Sequence, residues 1–274
     1  MSASARRHII LCADDYGISP AVSAAIRDLI SRRRINATSV MVVAPSFSNA
    51  EADALRDSAG DHAALGLHLT LTAPFRPLTN GFAPLRDGAF LPLAAMAGRG
   101  LARTLKSAPL DDEIAAQVAA FRSAFGRAPD YIDGHQHIHV FPQIGEALIH
   151  VASEAAPQAW LRQCGRAVRH GLEPKGLILD ALSKRFERLA AHAGRRTNPA
   201  FAGTYTFGAG ADYTKLFPTF LDGLPDGGLV MCHPGRVDAE LMRLDPLTDL
   251  REREYAYFLG DSFPDLLAAR GFRL

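Results

Sequence analysis

Short apolar segments alternate with helix patterns along almost the whole chain. His8–Ala13 is an apolar run of strand length, and a helix is predicted to follow, with Ser19 as N-cap and Pro20 at its first position. Further strand-like segments lie at Thr38–Val43, Leu65–Leu71, Tyr131–Asp133, Trp160–Gln163, Gly203–Phe207 and Leu229–Cys232. Strands interleaved with helices indicate an α/β fold with a parallel sheet, either closed into a (β/α) barrel or doubly wound. The number of strands favours a barrel, complete or distorted.

One long segment, from about Thr72 to Ala108, fits neither pattern because it is rich in Pro, Gly and Phe. An insertion of this length in a compact domain is usually a functional loop or lid, and an excursion without a role is the alternative. Other helices are predicted near Ser48–Ser58, from Asp111 or Asp112 to Phe125, and at Pro142–Ala155, Pro174–His192, Asp212–Leu221 and Phe263–Arg270. Because no repeat or linker divides the chain, we expect a single domain over residues 1–274 with a loop insertion at about 72–108.

The composition is that of an ordinary globular protein, with 48% hydrophobic and 22% charged residues. Lys and Arg (30) nearly balance Asp and Glu (29), so we expect no nucleic-acid partner. The first residues lack the apolar stretch of a secretory signal, and no run reaches transmembrane length. Cys12, Cys164 and Cys232 are far apart and odd in number, which fits neither a disulfide framework nor a thiolate zinc site. We therefore expect a reduced cytoplasmic protein without a transmembrane segment, and a homodimer stays open.

Polar side chains stand where several predicted strands end. Asp14 and Asp15 follow the first strand, His68 lies in the third, and His233 follows Leu229–Cys232. Each alone has an ordinary explanation as a turn, a helix cap or a hydrogen-bonded core histidine. The chemistry of parallel α/β folds sits at the C-terminal ends of the strands. The joint occurrence of these residues at one predicted face therefore favours a metal site.

The segment Tyr131–His139 adds three histidines and a carboxylate to this face. In extended backbone, four side chains would project to one side: Asp133, His135, His137 and His139. In a helical turn, His135 and His139 would instead share a face. Imidazole is a common ligand of catalytic metals, and a solvated His-rich loop is the alternative interpretation.

One carboxylate with two imidazoles suits Zn²⁺, Mn²⁺ or Fe²⁺ better than Ca²⁺. Three protein ligands leave positions for water and substrate, as a hydrolytic site requires. A second carboxylate could accept the proton of the water, and a separate histidine could protonate a leaving amine. Two adjacent aspartates can divide the tasks of ligand and base, because neighbouring side chains point in different directions.

Four segments resemble the signature segments of the YdjC-like carbohydrate deacetylases: Leu11–Ser19, Gly66–Leu69, Tyr131–Pro142 and Met231–Pro234. That family includes chitooligosaccharide deacetylases and a branch associated with hopanoid biosynthesis. The segments span nearly the whole chain in the family's order. The resemblance implies a distorted (β/α) barrel of the polysaccharide-deacetylase type and a catalytic domain that removes N-acetyl groups from acetylated amino sugars or short chitooligosaccharides with a divalent metal.

By motif position, the resemblance assigns Asp15, His68 and His135 to the metal. Asp14 would be the general base and His233 the general acid. The family is described with Mg²⁺, whereas two imidazoles favour a softer ion such as Zn²⁺ or Mn²⁺. Substrate choice would lie in the segment 72–108.

Four further residues receive supporting roles. Arg162 matches a family arginine that could orient Asp14, and a surface strand end is the alternative. His139 is expected to line the substrate or serve as a spare ligand, and His137 to buttress the loop. Asp133 is expected to orient an imidazole from behind the ligands.

Three other functions stay open. A metal phosphoesterase would need a basic phosphate clamp, for which Arg162 and Arg236 are the candidates. A non-haem iron oxygenase shares the ligand set but would need a cosubstrate pocket. A non-catalytic sugar- or metal-binding protein would have no use for Asp14 beside a ligand.

Overall fold

A computed structural model describes residues 6–168, 174–208 and 210–274 of the chain. Its strands are β1 (Arg7–Tyr16), β2 (Ala37–Val40), β3 (Ala64–Leu69), β4 (Leu85–Arg86), β5 (Ala89–Phe90), β6 (Tyr131–Gly134), β7 (Trp160–Leu161), β8 (Phe201–Ala202), β9 (Gly228–Cys232) and β10 (Phe272–Arg273). Its helices are α1 (Pro20–Ser31), α2 (Asn49–Ala59), α3 (Leu93–Ala102), α4 (Ser107–Phe125), α5 (Ile144–Ala155), α6 (Pro174–His192), α7 (Tyr213–Phe220), α8 (Ala239–Leu244), α9 (Asp249–Leu259) and α10 (Ser262–Ala269). Residues 1–5, on which the expectation about a leader depends, lie outside the described ranges.

The main sheet has eight strands in the order β7-β6-β3-β2-β1-β9-β8, with β10 paired to the start of β1. Its strand pairs are parallel. The two ends of the sheet approach each other through isolated parallel bridges, Leu161 to Thr197 and Arg166 to Phe201. The sheet therefore curls into a distorted (β/α) barrel, and the fold class predicted from the sequence is confirmed.

Helix α1 illustrates how the sequence builds the outer layer. Its N-cap Ser19 accepts a hydrogen bond from the backbone N–H of Val22, and Pro20 occupies the first position, where no N–H is needed. The apolar stripe is buried against the sheet, and it comprises Val22, Ile26, Leu29 and Ile30. Each such side chain stabilises the fold by roughly 1.5–3 kcal/mol relative to exposure. No helix in the described ranges is long and apolar enough to cross a membrane.

The segment 72–108 is more ordered than the sequence analysis predicted. Strands β4 and β5 form a hairpin around Asp87 and Gly88, both in the left-handed conformation. Helix α3 follows, and α4 begins at Ser107 rather than at Asp111 or Asp112. The sequence of α3 was not recognised as helical because it contains two glycines, Gly98 and Gly100, which are unfavourable inside a helix. Gly100 is needed there, because an added Cβ would lie 2.9 Å from the carbonyl oxygen of Pro142.

The strand predicted at Gly203–Phe207 is wrong, because the pairing with β9 ends at Ala202. Gly203 has a φ of +104°, and a Cβ there would lie 2.1 Å from the carbonyl oxygen of Met231. The chain therefore turns away from the sheet at Gly203, and residues 203–208 form a loop above the C-terminal end of β9. Helices α8 and α9 were not predicted, and α9 proves to support the site.

Candidate metal centre

Two consecutive buried carboxylates, Asp14 and Asp15, stand at a β-bulge at the end of β1. The pairing of β1 with β2 shifts register between Ala13 and Tyr16, and Asp15 has a φ of +69°. That conformation is uncommon for a residue other than glycine and often marks a functional site. Asp14 and Asp15 are both buried, and the bulge gives their carboxylates separate sets of partners.

Asp15, His68 and His135 come together as the sequence predicted. Asp15 Oδ1 lies 3.2 Å from His68 Nε2 and 3.0 Å from His135 Nδ1. One ligand atom from each residue lies within 4.8 Å of the others, and all three side chains are buried. One carboxylate oxygen and two imidazole nitrogens could hold a divalent cation and leave further positions open.

Asp133 lies behind His68, where it fixes the ring. The N–H at His68 Nδ1 donates a hydrogen bond to Asp133 Oδ1 (2.6 Å), which leaves Nε2 facing Asp15. Burial would lower the pKa of His68, but Asp133 and its neighbouring carboxylates raise it to about 10. A carboxylate that holds the far nitrogen of an imidazole is the usual support of a metal-binding histidine. The predicted orienting position of Asp133 matches this geometry.

Arg162 is fully buried and pairs with two aspartates at once. Its guanidinium donates two hydrogen bonds of 2.7 Å to Asp14 and forms an ion pair of 2.5 Å with Asp133. Burial alone would raise the pKa of Asp14, but Arg162, with smaller contributions from His68 and His233, holds this pKa below its usual range. Asp14 is therefore an ionised carboxylate at neutral pH. The alternative of a surface strand end is wrong for Arg162.

A second group of potential ligands, Cys12, Asp14 and Asp133, surrounds the same guanidinium. Arg162 Nη2 lies 2.9 Å from Cys12 Sγ, and burial raises the pKa of that thiol. The guanidinium of Arg162 already supplies the positive charge at the centre of this group. The group therefore acts as a support for Asp14 and does not suit a metal.

Sequence analysis missed Arg251, a fully buried residue of α9. Its guanidinium donates a hydrogen bond of 2.5 Å to Asp15 Oδ2 and lies 3.2 Å from Asp245. Burial would raise the pKa of Asp15, but Arg251 is the largest of the opposing influences that hold this pKa well below its usual range. Since Arg251 holds Oδ2, the other oxygen of Asp15 is the one that faces the two imidazoles.

His233 lies beside Asp14, because β9 pairs with β1 with Cys232 opposite Ala13. Its backbone N–H donates to Glu254 Oε2 (2.5 Å), and its ring Nδ1 has no hydrogen-bond partner among the described residues. Burial lowers the pKa of His233, although Asp15 and Asp14 oppose this shift. Glu254, also on α9, was the second residue that sequence analysis missed.

The remaining histidines of the cluster do not continue a strand. After Gly134 the chain forms a 3₁₀ helix (His135–Val140) in which Gln136 and His137 have left-handed φ angles. His139 is fully buried and its Nε2 donates to the carbonyl oxygen of Arg162 (2.8 Å), so it supports the segment after β7 and does not join the Asp15-His68-His135 group. His137 is half-buried and packs edge-on against Phe201, and burial lowers its pKa to about 3.

The segment 72–108 covers one side of the centre. The ring of Phe75 meets the ring of His135 edge-on, with 5.6 Å between centroids. Buried Glu113 on α4 accepts hydrogen bonds from the backbone N–H groups of Leu78 and Thr79. These hydrogen bonds hold the residues that follow Phe75 against α4.

The fold and the site define this protein as a (β/α)-barrel protein with a buried Asp-His-His centre, and its similarity to known proteins is consistent with that class. The family profile for YdjC-like proteins matches residues 8–269, and the chain belongs to the YdjC-like family. A curated chitooligosaccharide deacetylase of Yersinia pestis (strain Pestoides F) is 27% identical over 280 residues, covering 97% of this chain and 96% of that protein.

Two solved structures share the fold. A protein of Enterococcus faecalis V583, provisionally described as a cellobiose-phosphate cleavage protein, has a TM-score of 0.77 at 21% identity, with 98% of this chain and 97% of that chain covered. A family 4 carbohydrate esterase from Streptomyces lividans, in complex with acetate, has a TM-score of 0.50 at 12% identity, with 98% and 92% covered.

Proposed function

We propose that this protein is a metal-dependent carbohydrate deacetylase that hydrolyses the N-acetyl group of an acetylated amino sugar or short chitooligosaccharide. The observation that carries the proposal is the pairing of a three-residue ligand set with an ionised carboxylate, Asp14, and an imidazole, His233, at adjacent strand ends. Membership of the YdjC-like family and the similarity to a chitooligosaccharide deacetylase support the substrate class.

The residues divide the work as follows. Asp15, His68 and His135 hold a divalent cation, which would act as a Lewis acid on the amide carbonyl and lower the pKa of a water molecule. Asp14, held in place by Arg162, accepts the proton as the water oxygen adds to the carbonyl carbon. His233 donates a proton to the amide nitrogen as the C–N bond breaks. The products are acetate and a free amino group on the sugar.

The alternatives have less support. A phosphoesterase would need free arginines, but Arg162 is committed to Asp14 and Asp133 and is fully buried. A pure binding site would gain nothing from a second buried carboxylate that is kept ionised beside the ligands. The iron oxygenase shares the Asp-His-His ligand set, but it would leave the ionised Asp14 and the adjacent His233 without a role.

The test is acetate release from N,N′-diacetylchitobiose by purified protein, with and without chelator. Chelator should abolish release, and comparison of Mg²⁺, Mn²⁺ and Zn²⁺ in reconstitution should favour the softer ions. His68→Ala and His135→Ala should lower bound metal, whereas His150→Ala, an exposed histidine on α5, should not. Full metal content in both site variants would refute the ligand assignment.

The variant Asp14→Asn distinguishes the proposed role of Asp14 as general base from that of Asp15 as metal ligand. It should keep bound metal and lose turnover, because Asn cannot accept the proton. Loss of metal with Asp14→Asn would mean that the ligand and the base are exchanged between Asp14 and Asp15.

A further inference from the structure

Phe207 exposes an aromatic ring beside His233, the proposed acid. Its side chain is 45% exposed, whereas every other phenylalanine in the described part of the chain is buried or half-buried. An aromatic ring left in water forgoes a large gain from burial. Phe207 lies in the 203–208 loop, which Gly203 turns away from the sheet towards the proposed acid.

The position of Phe207 is fixed by its neighbours. Its ring centroid lies 5.6 Å from that of His233, with the two planes nearly perpendicular at 79°, and 4.3 Å from that of Tyr205. The Tyr205 hydroxyl donates to Glu254 Oε1 (2.6 Å), and Glu254 Oε2 accepts from the backbone N–H of His233 (2.5 Å). One buried carboxylate therefore holds both the acid and the loop that carries Phe207.

The chemistry of the proposed reaction determines which part of the substrate lies beside His233 and Phe207. The amide nitrogen belongs to the sugar, and the acetyl group lies on the far side of the scissile bond. A donor that protonates this nitrogen, as His233 does in the proposed function, must therefore stand on the sugar side. The faces of a pyranose ring carry C–H groups with slight positive charge, which suit the negative face of an aromatic ring.

We propose that Phe207 is a carbohydrate-contacting residue whose ring packs against the pyranose that bears the acetamido group. This inference rests on the proposed function. Tyr205 and Glu254 are its positioning residues, since they act on the sugar only through Phe207 and His233.

The experiment compares Phe207→Ala and Phe207→Trp with Ile178→Ala, which removes an exposed apolar side chain from α6. With N,N′-diacetylchitobiose, Phe207→Ala should raise KM roughly tenfold while kcat changes less than about twofold, because the contact is made before and during reaction. Phe207→Trp should stay within about threefold of the native KM, since it keeps an aromatic face. Ile178→Ala should match the native protein.

A binding measurement distinguishes failure of this inference from failure of the proposed function. In an Asp14→Asn background, Phe207→Trp adds a reporter whose fluorescence should shift when N,N′-diacetylchitobiose is added. Asp14→Asn alone, with Trp160 as the chain's single tryptophan, should show no such shift. A shift without acetate release from the native protein would support the contact and refute the deacetylase. A native KM in Phe207→Ala, or a loss confined to kcat, would overturn the inference and leave the deacetylase standing.

Discussion

Replacing Arg162 by Met should expose how strongly the site depends on one guanidinium. The substitution keeps much of the side-chain volume but leaves Asp14 and Asp133 buried without their shared cation. Removing one partner of a buried ion pair typically costs about 3–5 kcal/mol, because the remaining charge is left in a medium that solvates it poorly. We expect a loss of unfolding free energy in this range at neutral pH.

The loss should depend on pH in a direction that the structure dictates. In the native protein Arg162 lowers the pKa of Asp14, so the stability from this pair is present above the ordinary pKa of 3.8 and is lost as the pH falls. In Arg162→Met burial is the largest remaining influence, and it raises the pKa of Asp14 against the smaller opposing effects of His68 and His233. The variant should then lose stability as the pH rises, and its deficit relative to the native protein should grow as the pH rises above the ordinary pKa of 3.8.

The assay is urea denaturation in chelator at several pH values, so that bound metal does not add to the stability. Arg270→Met is the matched control, since it breaks an exposed pair with Asp222 and should cost less than about 1 kcal/mol. Adding Asp14→Asn to Arg162→Met should recover part of the loss. A deficit below about 1 kcal/mol that does not change with pH would refute the reasoning.

Two further predictions concern residues that support the site. Burial raises the pKa of Glu254 to about 7, so the folded protein should lose up to about 3 kcal/mol of stability as the pH rises from the ordinary 4.5 through 7. Glu254→Gln should remove this component in urea denaturation at pH 5 and pH 8, and equal pH dependence in both proteins would contradict it. Gly203→Ala should destabilise the fold by more than about 2 kcal/mol, because its Cβ would lie 2.1 Å from the Met231 carbonyl oxygen. Gly194→Ala is the control, because Gly194 also has a positive φ but has open space around an added Cβ. Its loss of unfolding free energy, measured by thermal unfolding, should be only about 1 kcal/mol. Equal losses in the two variants would show that the structure relieves the clash at residue 203.

The sequence predicted the meeting of distant residues because one simple rule governs it. Parallel strands end at the same edge of a sheet, so the strand ends that carry Asp15, His68 and His135 were expected to share one face, and the family resemblance singled out these three residues as ligands. Boundaries were harder to predict, since a single close contact can end a strand. The pairing at β8 stops at Gly203 for a reason that only the neighbouring strand reveals.

Arg251 and Glu254 were not predicted to be buried, because the segment of α9 has the charged composition of a surface helix. Its buried face in fact follows a regular helical stripe that comprises Leu250, Arg251, Glu254, Tyr255 and Phe258. The positions of Arg251 and Glu254 within this apolar stripe were the feature of the sequence that could have indicated their burial. The backbone of the His cluster gave no such signal, since the left-handed φ angles of Gln136 and His137 separate His135 from His139.

The two buried arginines also bear on whether the site can fold before it binds the proposed cation. Arg162 and Arg251 stand beside three carboxylates, those of Asp14, Asp15 and Asp133, so the protein's own side chains leave little unbalanced negative charge at the centre. We therefore expect the fold to form without a bound cation, in contrast to small metal sites whose folding depends on the ion.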